Sequence, residues 1–130
     1  MSEIAARQIL VVDDDSRSRE LMTLILKHAG FDVVAAEDPQ AAIALLANIR
    51  PALALVDFMM PGMNGLDFCR WVRLQPERAA MRFVLLTGMD SAQTREEAAV
   101  AGADAVVTKP FERSQLISLL NSLLGLPAAR

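Results

Sequence analysis

A chain of 130 residues that is 53% hydrophobic, with a net charge of −3, is one domain's worth of sequence and has enough apolar content to bury a core without disulfide or metal staples. Interspersed charges give no electrostatic reason for direct nucleic-acid binding, and no apolar run reaches the roughly 20 residues that a bilayer crossing needs. Cys69 is the single cysteine, which excludes a disulfide framework and a thiolate metal cluster, and the polar start MSEIAARQ has no signal-peptide core, so a cytoplasmic setting is expected.

In chain order, Ile9 to Val12 is an apolar run that stops at Asp13, Asp14 and Asp15 and reads as a first buried strand ending in acid. Ser16 is the expected cap of a helix with Leu21, Met22, Leu24, Ile25 and Leu26 apolar, stopped by Gly30. Phe31, Val33 and Val34 suggest a second strand. Pro39 suits the first turn of a helix with Ala42, Ile43, Leu45, Leu46 and Ile49 apolar, ended by Pro51. The stretch ALALVDFMMPGMNG follows, in which Leu53 to Val56 read as a fully buried strand with Asp57 at its carboxyl end. Taken alone, Asp57 is either a reactive carboxylate or the cap of the next helix. Pro61, Gly62, Asn64 and Gly65 mark a loop, and Leu66 to Leu74 have helical apolar spacing, with Cys69 expected as a small buried hydrophobe. Phe83 to Leu86 form a fourth strand leading into Thr87. Ser91 opens a helix stopped at Gly102. Ala105 to Val107 form a fifth strand running into Thr108, Lys109 and Pro110, and Ser114 to Leu124 close the chain as a helix.

Five strands alternating with five helices predict an α/β fold with a doubly wound parallel sheet. In such a sheet all carboxyl strand ends share one edge, where sites form. Asp13, Asp14, Asp57, Thr87 and Lys109 would therefore meet in one crevice. Three carboxylates there need positive charge: two unit charges about 5 Å apart repel by roughly 3 kcal/mol at an effective dielectric near 20. All-oxygen ligands favour a hard divalent ion such as Mg²⁺, and Lys109 supplies a second cation. An ammonium, a hydroxyl and a metal facing one carboxylate suit the stabilisation of a phosphoryl group on it.

The strings LVVDDDS at 10–16, LVDFMMPGMNG at 55–65, VLLTG at 84–88 and VVTKPF at 106–111 resemble, in order and spacing, the four signatures of the receiver domain of two-component response regulators. The resemblance runs from about Gln8 to Leu124. It implies a flavodoxin-like strand order 2-1-3-4-5 and a single receiver domain over residues 1–130, with no output domain in this chain. It implies Asp57 as phosphoacceptor, charged from a phosphohistidine of a sensor histidine kinase or phosphotransfer protein, and a signalling switch, not an enzyme. Mg²⁺ or Mn²⁺ would be held by Asp14, by Asp13 through water, by Asp57 and by the backbone carbonyl of Met59. Thr87 and Lys109 would bind the phosphoryl oxygens, and the Lys109–Pro110 bond would be cis. A downstream protein or output domain would be met through the face of the fourth helix, fifth strand and fifth helix, with phosphorylation-dependent homodimerisation left open.

Val106 departs from the pattern, standing where many receivers carry an aromatic that turns inward when the Thr hydroxyl moves. Met59 and Met89 flank the site, and neither can orient an attacking water. They imply either a long-lived aspartyl phosphate or simple packing at the rim. Asp15 is expected to stabilise the helix terminus. Arg70, Trp71 and Arg73 are expected as a helix surface with one packed aromatic, and Arg95, Glu96, Glu97, Asp104, Glu112 and Arg113 as a solvated or signalling face. His28 carries no expected relay role. Competing readings are an aspartate-nucleophile phosphatase, for which Met59 offers no second acid, a nucleotide or flavin module, for which no phosphate loop is present, and a pseudo-receiver.

Overall fold

In the computed structural model, which describes residues 7–89 and 91–127, the chain alternates strictly between strand and helix. The strands are β1 (Gln8–Val12), β2 (Asp32–Ala36), β3 (Leu53–Asp57), β4 (Arg82–Thr87) and β5 (Ala105–Thr108). The helices are α1 (Ser16–His28), α2 (Pro39–Leu46), α3 (Gly65–Leu74), α4 (Ala92–Ala101) and α5 (Arg113–Leu124). All strand pairs are parallel and the order is β2-β1-β3-β4-β5, as the resemblance implied.

The period-2 alternation of a strand divides the core into two layers. Leu10, Val12, Ala54, Val56, Phe83 and Leu85 pack with residues of α2, α3 and α4. Their neighbours Ile9, Val11, Leu53, Leu55, Val84 and Leu86 pack with α1 and α5. Every residue of β3 is buried, which is why its sequence lacks a polar alternate. Cys69 lies in the first layer, fully buried, with Sγ 3.4 Å from the carbonyl of Ala101 and its thiol pushed up to about 11 by burial.

Several boundaries differ from the sequence reading, each for a local reason. Ser16 is not the cap of α1: the Asp15 carboxylate accepts the N–H groups of Arg17 and Ser18, and Ser16 becomes the first helical residue. An acid meets the partial positive charge of a helix start better than a neutral hydroxyl does. Glu112 does the same at α5, accepting from the N–H groups of Ser114 and Gln115, so that helix begins at Arg113. The second helix ends at Leu46, and Ile49 lies beyond it, so Pro51 does not set its end. Phe31 precedes β2 and packs in the second layer.

Arg73, expected on the surface of α3 with Arg70 and Trp71, also binds across to neighbouring elements. It donates to the carbonyls of Gly102 (2.9 Å), Ala79 (3.0 Å) and Met81 (2.6 Å), and pairs with Asp104 at 3.1 Å. Asp104 in turn accepts the N–H of Phe83 at 2.8 Å and pairs with Arg82. This network ties the start of β4 to the turn after α4. A Cβ at residue 102 would sit 2.8 Å from Arg73, and Gly102 has φ +101, so two demands fix glycine there. Trp71 stacks on Phe68 with ring centroids 6.2 Å apart, the packed aromatic of this helix.

Candidate functional site

The parallel register brings the strand ends together. Val12 pairs with Val56, so Asp13 stands next to Asp57, and the Asp13 N–H is fixed by the carbonyl of Ala36 at 3.1 Å. Thr87 pairs with Thr108, and the Lys109 N–H donates to the Thr87 carbonyl at 2.8 Å. Phe58 continues the β3 ladder by donating to Leu86, and its own carbonyl accepts the Gly65 N–H at 3.0 Å. That contact folds the turn after Asp57 back on itself. A Cβ on Gly65 would come within 2.7 Å of the Asp57 carbonyl oxygen, so the close approach admits only glycine. The Asn64 side chain caps α3 by accepting from Asp67, and Asp67 reaches back to the Asn64 N–H. Asp57 is therefore not the cap of α3.

Asp13, Asp14 and Asp57 each offer a carboxylate oxygen within 4.8 Å of the other two. Asp13 is 3% exposed and Asp57 is buried, whereas Asp14 is open to solvent. Two such charges at that spacing repel by about 3 kcal/mol at an effective dielectric near 20. Lys109 answers part of this, its Nζ standing 2.9 Å from Asp57 Oδ1. The Asp57 carboxyl is nonetheless held above the ordinary carboxylate range. Burial is the largest cause, Lys109 pulls the other way, and the charges of Asp13 and Asp14 add to the rise. Further bonds order the first acid: Asp13 Oδ1 accepts the Asp15 N–H at 3.0 Å, and Arg19 donates to the Asp13 carbonyl at 2.8 Å.

Thr87 is 2% exposed at the end of β4. Its Oγ1 accepts the Met89 N–H at 3.0 Å, so in this state the hydroxyl is engaged with the following loop and not with Asp57. The Lys109–Pro110 peptide is cis. Met59 is 65% exposed, and Met89 is exposed likewise. Val106 packs against the layer of α2, α3 and α4. Sequence reading missed Arg19 and Gly65 as parts of this site. Gly65 had a visible signal in the Asn-Gly pair, but the reach of Arg19 to a carbonyl six residues earlier had none.

The donor set fits a hard divalent cation: three clustered carboxylates, with no sulfur or imidazole among them, leave a charge excess that one lysine does not offset.

A doubly wound sheet of order 2-1-3-4-5, with acids, a hydroxyl and a lysine gathered at its carboxyl edge, defines the class of α/β domains whose chemistry sits on one strand-end carboxylate. The family model of the response regulator receiver domain matches residues 9–121, and the chain belongs to that family. It is similar to the DNA-binding response regulator MtrA of Mycobacterium tuberculosis, 35% identical over 118 residues that cover 91% of this chain and 50% of that protein. It is also similar to the phosphate regulon regulatory protein PhoB of Pseudomonas aeruginosa, 30% identical over 121 residues, 93% of this chain and 53% of that one. The chain thus spans about half the length of the curated relatives it matches. Among solved structures, chemotaxis protein CheY4 of Vibrio cholerae superposes with a TM-score of 0.85 at 29% identity, covering 89% of this chain and 97% of that one. The receiver domain of sensor histidine kinase PA1611 from Pseudomonas aeruginosa, which holds a magnesium ion in its active-site cleft, has a TM-score of 0.83 at 25% identity, over 92% and 98% of the two chains. Function follows from membership: this is a phosphoryl-accepting signalling domain of a two-component system. Among the described residues no helix is long and apolar enough to cross a membrane.

Proposed function

We propose that Asp57 is the residue that takes the phosphoryl group, with Asp13 and Asp14 as its metal-binding partners and Thr87 and Lys109 as the groups that receive the phosphoryl oxygens. The observation that carries this reading is the Lys109 Nζ at 2.9 Å from Asp57 Oδ1 beside two further carboxylates. In the transfer, the N–P bond of a donor phosphohistidine breaks and its electron pair returns to the imidazole. An O–P bond forms at the Asp57 oxygen that Lys109 does not hold. Lys109 stays within reach of the negative charge on the new group, and the Thr87 hydroxyl turns its O–H from the Met89 carbonyl, 3.4 Å away, to a phosphoryl oxygen. Mg²⁺, held by Asp13, Asp14, Asp57 and the Met59 carbonyl, would supply charge neutralisation for the carboxylates and the equatorial oxygens.

Withdrawal of the Thr87 hydroxyl from Met89 is the proposed start of signal output. The loop between β4 and α4 is freed to move, and the face of α4, β5 and α5 changes with it. Val106 offers no ring to rotate, so in this reading the signal travels by backbone displacement. The partner that delivers the phosphoryl group is a sensor histidine kinase or phosphotransfer protein, and the receiver of the signal is a protein surface or attached output domain. The whole unit acts as one domain, with its core over about residues 8–124, in the cytoplasm.

Incubation with acetyl phosphate and Mg²⁺, read by intact mass, tests the assignment. The parent gains one phosphoryl group, and Asp57→Asn and the metal-chelated parent gain none. A gain retained in Asp57→Asn overturns it.

A further inference from the structure

At the opposite edge of the sheet, about 16 Å from Asp57 along β3, a cavity of about 470 Å³ opens between the starts of β3 and β4 and the end of α5. That size lies within the range of small-molecule sites. Arg50, Arg78 and Arg82 line it with one acid, Glu77, and Pro51, Met81 and Leu123 supply an apolar floor. The charges do not balance. Arg50 and Arg78 both approach the same Glu77 Oε2, each at 3.5 Å, well beyond the 2.7–2.9 Å typical of a charge-assisted bond. Arg82 reaches Asp104 Oδ1 at 3.3 Å, but that carboxylate already serves Arg73 and the Phe83 N–H. Arg50, Arg73, Arg78 and Arg82 therefore share two carboxylates, on a chain whose net charge is −3.

Compensation of helix carboxyl ends does not account for the cluster. At the end of α4 Arg73 does that work, donating to the carbonyl of Gly102, the residue that caps that helix. Among the described residues, the side chains of Arg50, Arg78 and Arg82 pair with carboxylates alone. Arg78 adds a second, independent sign. Its side chain is 15% exposed, and its Nε is a fully buried donor with no acceptor. A buried N–H of a charged group left unpaired costs more than a neutral one, so the protein holds this guanidinium in place with its charge incompletely met, and an anion with two or more oxygens suits its outward-facing N–H groups.

We propose that this cavity binds an organic anion, a phosphate or carboxylate head on an apolar body, with the head held by Arg50, Arg78 and Arg82 and the body resting on Pro51, Met81 and Leu123. The site is separate from the acidic edge, whose charge repels such a ligand.

The test is titration with 1-naphthyl phosphate in metal-free buffer, followed by amide shifts in two-dimensional NMR. Shifts are expected at Ala52, Arg78, Met81 and Arg82, and not at Asp13, Asp57 or Lys109. Arg50→Gln, an exposed position whose folding is checked by Tm, weakens binding about tenfold, as loss of one charge-assisted contact predicts. Arg78→Met weakens it at least as much. Inorganic phosphate and neutral 1-naphthol each bind more weakly than the combined probe. The proposal is overturned if shifts are absent up to about 10 mM probe, where even a millimolar site would be occupied, or cluster at the Asp57 edge. Unchanged affinity in folded Arg50→Gln, or equal binding by 1-naphthol, also overturns it.

Discussion

Asp13→Asn should make the metal-free protein more stable while removing much of its response to Mg²⁺. The substitution keeps the shape of a buried side chain, and the amide oxygen can still accept the Asp15 N–H that Asp13 Oδ1 holds at 3.0 Å. What changes is charge. Asp13 has Asp14 and Asp57 oxygens within 4.8 Å, and each such pair represents about 3 kcal/mol of repulsion at an effective dielectric near 20. The exposed Asp14 is screened and Lys109 already offsets part of the Asp57 charge, which leaves a net gain of about 1–2 kcal/mol. Urea unfolding at neutral pH, in EDTA and in saturating Mg²⁺, measures both halves. The parent gains stability from the ion by mass action, and the variant, with one ligand fewer, gains less. The pH dependence has a definite sign. Because the Asp57 carboxyl is raised, chiefly by burial, the folded state holds its proton more tightly than the unfolded chain. Its contribution in EDTA is therefore lost as pH rises through the folded pKa and regained as pH falls towards the ordinary carboxylate value. In Asp13→Asn one cause of the rise is gone, so this swing is smaller. A variant no more stable than the parent in EDTA, or one that gains as much from Mg²⁺, refutes the electrostatic reasoning.

Gly65→Ala places a Cβ 2.7 Å from the Asp57 carbonyl oxygen and 2.7 Å from a Leu85 methyl; a loss of about 1–3 kcal/mol by denaturant titration, with slower phosphorylation, is expected, and unchanged stability would show that the turn has room. Cys69 is buried with its thiol raised to about 11, so a disulfide reagent at mildly alkaline pH should label the folded protein at least about a hundredfold more slowly than the urea-unfolded chain. Equal rates would contradict its place in the core. Met59→Asn puts a group able to orient water where an exposed thioether stands. Phosphate release from labelled protein should then quicken several-fold, and a release rate equal to or slower than the parent's sinks the idea that Met59 prolongs the phosphorylated state.

Much of the site was legible because burial and topology act on short strings. Leu53 to Val56 have no polar alternate, so a strand covered on both faces is the economical reading, and parallel strands put Asp13, Asp57, Thr87 and Lys109 on one edge. The meeting of Lys109 with Asp57 across 52 residues follows from that edge alone. What was not legible depends on partners that only the folded chain assembles. Asp104 reads as one more surface acid, yet it joins Arg73, Arg82 and the Phe83 N–H. Asp15 was expected at the helix terminus and is its cap in place of Ser16, whereas Glu112, read as a surface acid, turns out to cap the last helix. Thr87 was placed correctly, but its present bond to Met89 is a loop geometry with no sequence signature.

Borohydride reduction of acetyl-phosphate-treated protein reads out whether the phosphoryl group resides on Asp57. Reduction converts an aspartyl phosphate to homoserine, and peptide mass spectrometry then reads the modified position. Homoserine is expected at position 57 alone, in a Mg²⁺-dependent reaction. Reduction product at position 13 or 14, or at no aspartate in protein that has gained the phosphoryl mass, would contradict the assignment to Asp57.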